Sequence, residues 1–484
     1  HFVSDDVVTA DTVPVEEFAD QIGQGAIPGN TDVYIVDEET VEEYDLEREY
    51  VKRVLRGGDV KQFVMESPEN LSQLIYPYDI VDGEPELADP DQIPNIISYL
   101  ENYKSDLVER KNYGERLVDQ GYEWYELRYE APGMLNEKIA FPDISPENRF
   151  AFDENGDFAC LDTVYYAVRG NSLPSYDSRY LTAVLNSNLL DYLFDRMSPK
   201  VRGGYRRYKT QYVESLPIPA IDFTDRHQGP SDFNNLIETI CKDVSDDDQT
   251  VEQALSQLYS DGEKKFVLHD TLCHLADLIS GIKKERRNYN LNLLDYLGSY
   301  EEEKKLQEFP GYQPSQGVSE TILSETTETR DNLRFGDVQV SRTDLKVTIE
   351  ASARYKPEDP DEFETDRWGY TETESYPVME FVGVDELQSD LLVEFVDYAT
   401  DEGDGFAGFR ETATKRNSLV DRLSEITLPS LQDVESDLER YLDQKHSVKE
   451  LDDQHDRLFN LLNRIVYELY ELEEEKVEMV ESTR

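Results

Sequence analysis

The sequence predicts an α+β fold: a mixed α/β region over residues 1–220, followed by a helical region with a small β insertion and long C-terminal helices. Two patterns carry this reading. Short apolar runs punctuated by Pro and Gly fill the first region, whereas residues beyond it repeat apolar side chains at helical spacing.

In order along the chain, Val33–Val36 and Val60–Val64 are short strand candidates, and Asp91–Gly121 has the helical stripe Ile96, Ile97, Leu100, Leu107 and Leu117. Strands return at Trp124–Tyr129, Lys138–Phe141 and Thr163–Val168. Arg179–Phe194 reads as one helix with Leu181, Val184, Leu185, Leu189, Leu190 and Leu193 on a face. A boundary is expected in the loop-like run Asp222–Asp232. Residues 233–300 form a helical region with the stripe Leu268, Leu272, Leu275 and Ile279, and 301–332 a polar linker. Alternating runs at 338–340, 345–349 and 378–382 predict a small β insertion over 333–400. Residues 415–484 predict a helical hairpin or coiled-coil-like arm, through Leu431, Val434, Leu438, Tyr441, Leu458, Leu461, Ile465 and Leu469.

The chain carries 105 Asp+Glu against 48 Lys+Arg, a net charge of −57. Its 38% hydrophobic and 11% aromatic content excludes a disordered polyanion. The acids are spread throughout, so this is no acidic tail. Pervasive acidity predicts a salt-rich, halophilic cytoplasm, where repulsion is screened within about 3 Å at 1 M salt; an ordinary acidic protein is the alternative. Cys160, Cys241 and Cys273 are odd in number and imply no disulfide framework. No apolar run is long enough to span a bilayer and no signal peptide opens the chain, so a cytoplasmic protein without membrane partners is expected. The start at His1 suggests a piece of a longer polypeptide.

No catalytic residue can be assigned. Amino-group methylation of adenine or cytosine needs an Asn/Asp-Pro-Pro-aromatic turn and a glycine-rich donor loop; the chain has no Pro-Pro dipeptide, and Gly23-Gln-Gly25 lacks the third glycine. Asp344-Leu-Lys346 matches half of a nuclease pattern, as chance allows in so acidic a chain. His269, Cys273 and His274 lack two further zinc ligands beyond Cys241, so no metal is expected.

The most distinctive feature is a basic island, Arg196-Met-Ser-Pro-Lys-Val-Arg-Gly-Gly-Tyr-Arg-Arg-Tyr-Lys209, with six bases and no acid. Arg and Lys there suit phosphates and guanine edges, and two glycines allow close backbone approach. The alternative is a solvated loop paired with acids of its own domain. A second cluster, Lys283-Lys-Glu-Arg-Arg287, reads as charge at a helix C-terminus.

Trp124-Tyr-Glu-Leu127, Lys138-Ile-Ala-Phe-Pro142, Leu185-Asn-Ser187 and Gly203…Arg206-Arg207…Lys209, ending in Leu216-Pro-Ile-Pro219, occur in that order. Arg56-Gly-Gly-Asp-Val60, Tyr76-Pro-Tyr78 and the closing Ile465–Glu473 accompany them. This set resembles the TaqI-like target-recognition (specificity) region of adenine-specific DNA methyltransferases and type IIG (Eco57I-like) restriction–modification enzymes. The resemblance implies a TaqI-like DNA target-recognition domain over 51–220, with 1–50 a linker from a missing methylase core. It implies double-stranded DNA as ligand and a methylase core, in the same polypeptide or complex, as partner. That core would flip an adenine and methylate N6 from S-adenosylmethionine, a cofactor expected of the core and not of this chain. Lys200, Arg202, Arg206, Arg207 and Lys209 are the expected DNA contacts, with Lys138 in second rank; Asn186 and Ser187 are expected to cap or pack a helix. If salt weakens phosphate attraction, Arg206→Ala should alter sequence preference more than nonspecific binding. A stand-alone specificity subunit recruiting methylase or nuclease partners, and an acidic DNA mimic, are the competing readings.

Overall fold

A computed structural model describes residues 10–81, 83–201, 203–224, 233–258, 265–318, 333–343, 346–357, 359, 363–401 and 419–482. Arg202, Asp344, most of the 222–232 run and the second half of the 301–332 linker lie outside these residues. The chain is α+β, as predicted. It divides into two units, His1–Asn288 with Glu450–Arg484, and Tyr289–Lys449.

In the first unit, an antiparallel sheet runs in the order Ala151–Asp153, Lys138–Pro142, Val164–Arg169, Ala19–Gln24. Lys138–Pro142 is buried at every position because its two faces enter two cores. Ile139 and Phe141 join one core and Ala140 the other, as strand alternation requires. The first core adds Leu181, Val184, Leu189 and Leu193, then Leu272, Leu275 and Ile279 of the helix Lys265–Arg286. Leu461, Ile465 and Leu469 close it from the chain's far end. The second core lies on the sheet Ala159–Cys160, Val51–Leu55, Gln73–Ile75, Ile35–Val36, where Val54, Leu74 and Ile75 meet Ile96 and Leu100 of the helix Pro94–Glu101.

Several elements differ from the sequence expectation for local reasons. Residues 1–50, expected as a linker, supply paired strands: Ala19–Gln24 along Val164–Arg169, and Thr12–Pro14 along Pro217–Pro219. Only Ile35–Val36 of the first strand candidate pairs, after a helical turn at Thr31–Tyr34. Trp124–Tyr129 forms turns. Only Tyr129 pairs, in an isolated antiparallel bridge with Ile27; elsewhere side chains satisfy the backbone: Arg110 donates to the Trp124 carbonyl (2.8 Å), Tyr34 to that of Tyr125 (2.9 Å), and Leu127 N donates to the Tyr78 hydroxyl (2.9 Å). Arg179–Phe194 is two helices, Ser178–Leu185 and Asn188–Met197. Ser187 caps the second by accepting from Leu190 N, and Asn186 bonds both the N–H and the carbonyl of Phe150.

The second unit carries the sheet Tyr312–Pro314, Tyr376–Val382, Lys346–Tyr355, Arg334–Thr343, packed with Leu391, Leu392 and Phe395 of the helix Glu386–Thr400. Leu431–Leu469, expected as part of a hairpin, is one unbroken helix of 39 residues. It holds no Gly or Pro to break it. Its start (Val434, Leu438, Tyr441) packs in the second unit's core, and its end (Leu458 to Leu469) in the first core of the first unit.

The basic cluster after Gly281 is spent on internal contacts. Lys283 donates to Gln62 Oε1 (3.2 Å), Arg287 to the Met65 carbonyl, and Arg286 pairs with Asp452 (3.3 Å). Burial pushes the Lys283 ammonium down to about 8 from 10.5. A depressed lysine binds fewer protons folded than unfolded, so its burden on stability falls as pH rises from about 8 to 10.5. The wild type is therefore expected to gain stability across that window relative to Lys283→Met, measured by urea unfolding; parallel profiles for the two proteins would refute this.

Among the described residues no His/Cys/Asp/Glu group could hold a metal ion, and no helix is long and apolar enough to cross a membrane. His269 Nε2 accepts from Asp177 N (3.2 Å) and Nδ1 contacts Asp270 (2.8 Å), which occupies both ring nitrogens.

Candidate nucleic-acid interface

The basic island folds as a tight hairpin. Val201 N donates to the Tyr205 carbonyl (2.8 Å), Lys200 bridges Arg206, and Arg206–Arg207 pairs with Ile144–Ser145. Gly203 (φ 86°) and Gly204 (φ 80°) take the left-handed conformation that the turn requires. Ser198 clamps the base, accepting from Arg207 N (3.1 Å) and donating to the Arg207 carbonyl (2.8 Å). Tyr208 is fully buried, stacked on Phe194 at 4.2 Å, and its hydroxyl, pushed up by burial, donates to Asn148 Oδ1 (2.9 Å). Tyr205 stands at the tip, 43% exposed.

The predicted contacts fall into three groups. Lys200, Arg207 and Lys209 reach the surface. Lys200 pairs with Asp195 (3.0 Å), Arg207 with Asp143 (2.9 Å), and Lys209 lies 3.5 Å from the Tyr165 hydroxyl. The Lys200 side chain is 57% exposed, and surface pairs of this kind contribute about 0–1 kcal/mol, so a phosphate can displace its carboxylate, whereas the Arg207–Asp143 pair is half-buried. Arg206 and Lys138 are a different matter. Arg206 is only 8% exposed and bridges Asp191 (2.7 Å) and Asp195 (3.0 Å), both on the helix Asn188–Met197. The Lys138 side chain is 0% exposed and paired across the sheet with Asp153, itself 2% exposed. Neither offers a charge to a duplex: Arg206 holds the hairpin to its helix, and Lys138 neutralises a buried carboxylate. Arg202 lies outside the described residues.

The island is thus acid-free in sequence but not in space, since Asp143, Asp191 and Asp195 come to it from two other elements. The i,i+4 spacing of Asp191 and Asp195 just upstream was the available signal. The sequence reading quoted Arg56-Gly-Gly-Asp-Val60 as a family motif but did not count this neighbouring loop among the contacts. Gly57 N donates to Thr163 Oγ1 (3.1 Å) and Asp143 N to the Thr163 carbonyl (2.9 Å), which brings the exposed Arg56-Gly57-Gly58 turn to the Arg207 corner. Asp143 Oδ1 and Arg207 Nε are buried there without a hydrogen-bond partner. An incomplete polar network beside two glycine turns, Tyr205 and three reachable cations can take up phosphates and base edges.

The same residues do not fit a bound S-adenosylmethionine. Gly23 and Gln24 lie within the strand Ala19–Gln24, and a Cβ on Gly25 would stand 2.2 Å from the Leu161 carbonyl. Close strand packing, and not a nucleotide, accounts for that glycine.

Residues 52–218 match the family model described as the TaqI-like C-terminal specificity domain. The type II methyltransferase M.BanIII of Aneurinibacillus aneurinilyticus is 26% identical over 151 residues, 30% of this chain and 25% of the relative. The type II restriction enzyme and methyltransferase RM.Eco57I of Escherichia coli is 24% identical over 238 residues, 46% of this chain and 22% of its own length. The S subunit of a type I restriction–modification system from M. genitalium aligns over 96% of each chain at 9% identity and a TM-score of 0.36, too distant to place any element. The chain covers about a quarter of the curated relatives' length: it is similar to type II methyltransferases and restriction–modification enzymes, and its residues 52–218, which include the hairpin, are similar to the TaqI-like C-terminal specificity domain.

Proposed function

We propose that the first unit reads a specific sequence in double-stranded DNA and presents it to an adenine-N6 methyltransferase core outside this chain, in a salt-rich cytoplasm. S-adenosylmethionine, in this reading, is bound by that core. The observation that carries the proposal is the glycine hairpin, whose tip tyrosine and surface cations lie within the residues that match the specificity-domain family. Arg207, with Lys200, Lys209 and Arg56 around it, is the central contact, and Arg206 sets the hairpin's position.

The test is the triple variant Lys200→Gln, Arg207→Gln, Lys209→Gln in a fluorescence-anisotropy assay, using duplexes first selected from a random pool at high salt. Binding is expected to fall at least tenfold. The slope of log K against log salt should become shallower by about 0.9 for each phosphate that is no longer neutralised, with the unfolding midpoint unchanged. Equal affinity and an equal salt slope in wild type and variant would refute the assignment.

A further inference from the structure

The second unit, which lies outside the matched residues, gathers several cations around one aromatic ring. Arg334 and Arg354 stand directly opposite each other on paired strands, an arrangement that destabilises a sheet. With Lys356 they surround one ring: the three cationic groups lie 4.8, 5.5 and 5.0 Å from the Tyr370 centroid. Arg354 is neutralised by Asp366. Among the described residues, no carboxylate lies within ion-pairing distance of Arg334, Lys356 or Arg367. The nearby Glu372 accepts from Ser352 Oγ and Asp337 N, which directs it to the sheet, and Glu364 lines the adjoining hollow.

Beside these cations stands Trp368, 65% exposed, with the Arg367 guanidinium 4.9 Å from its ring. The turn that carries it is well ordered by hydrogen bonds. Asp366 Oδ1 accepts from Trp368 N (2.8 Å) and Tyr370 N (2.9 Å), Asp366 N donates to the Tyr370 carbonyl (2.8 Å), and Gly369 turns the chain at φ 79°. Thr371–Glu372 then pairs with Arg354–Tyr355. A tryptophan held outward on a braced turn, beside Arg334, Lys356 and Arg367 with no carboxylate partner among the described residues, presents a flat apolar face and positive charge together. Phe363 adds a second exposed aromatic nearby.

We propose that this surface binds a single nucleic-acid strand, with a base stacked on Trp368 and backbone phosphates on Arg334, Lys356 and Arg367. An aromatic platform with flanking cations serves bases of any identity. Stacking, unlike phosphate attraction, is not screened by salt, which suits so acidic a chain. The inference is independent of the duplex-reading hairpin, and its test separates the two.

The chain has two tryptophans, so Trp124→Phe leaves Trp368 as the fluorescent reporter in the full-length protein. Oligothymidylate is expected to quench its emission, and inorganic polyphosphate is not. Trp368→Ala is expected to weaken oligothymidylate binding about 5- to 100-fold, and Arg334→Gln/Lys356→Gln/Arg367→Gln to weaken it further at low salt than at high. Equal quenching by polyphosphate, quenching by duplex alone, or none with any probe would each overturn the proposal. The Lys200/Arg207/Lys209 triple variant should keep the quenching, and Trp368→Ala should keep selective duplex binding. Failure of one reading is thereby distinguishable from failure of the other.

Discussion

Lys138→Met is expected to lower the stability of the first unit by about 3–5 kcal/mol, because it strands a buried carboxylate. The Lys138 ammonium and the Asp153 carboxylate face each other across paired strands with essentially no solvent access. Asp153 also accepts from the N–H of Asp157 (3.0 Å) and Phe158 (3.2 Å), so it anchors the following loop and cannot turn away to water. The Cys160 thiol in the same core is pushed up to about 12 by burial, a measure of how dry the surroundings are. Methionine retains the volume of the lysine stem but supplies no charge. Adding Asp153→Asn, which removes the stranded charge and keeps an acceptor for the loop, should recover most of the loss. Urea unfolding of the single and double variants measures both. A stable Lys138→Met protein with impaired DNA binding would restore the residue to the interface.

Arg206→Ala is expected to cost about 1.5–3 kcal/mol, the range for hydrogen bonds to charged groups, and to reduce binding to every DNA sequence alike. This reverses the outcome expected from sequence, in which the substitution mainly alters preference. The guanidinium ties the hairpin to Asp191 and Asp195, and Asp191 in turn accepts from Asn148 N (2.7 Å). Losing it frees the hairpin and leaves two aspartates repelling phosphate at the interface. A variant of wild-type stability with altered base preference in a selection experiment would show that Arg206 reads bases after all.

Both residues show where the sequence stops being informative. The strand at Lys138–Phe141 was legible as a short apolar run, but a strand that feeds two cores buries even its first residue. Nothing local announces Asp153 as the partner, because register is set by the whole hairpin. The island at 196–209 was legible from composition against an acidic background. Its neutralisation was half legible, in Asp191 and Asp195 one helical turn apart, and half not, since Asp143 arrives by strand pairing. The helix Lys265–Arg286, whose backbone groups are satisfied within the element, shows its predicted stripe of Leu268, Leu272, Leu275 and Ile279 buried. Trp124–Tyr129 was misread because its hydrogen bonds go to distant tyrosine and arginine side chains, which no periodicity records.

The helix Leu431–Leu469 also bears on the order in which this protein can be made. Its last turns and residues 470–484 complete the first unit, while the whole of the second unit lies between them and the rest of that unit in sequence. A ribosome therefore finishes the first unit in two stages: the sheets and the island emerge early, but Leu461, Ile465 and Leu469 arrive only after the second unit has been synthesised. The second unit is contiguous and can close its sheet at once. The nascent first unit must leave open, through that interval, the part of its core that Leu461, Ile465 and Leu469 complete, a window in which chaperones have a surface to hold and neighbouring nascent chains have one to stick to.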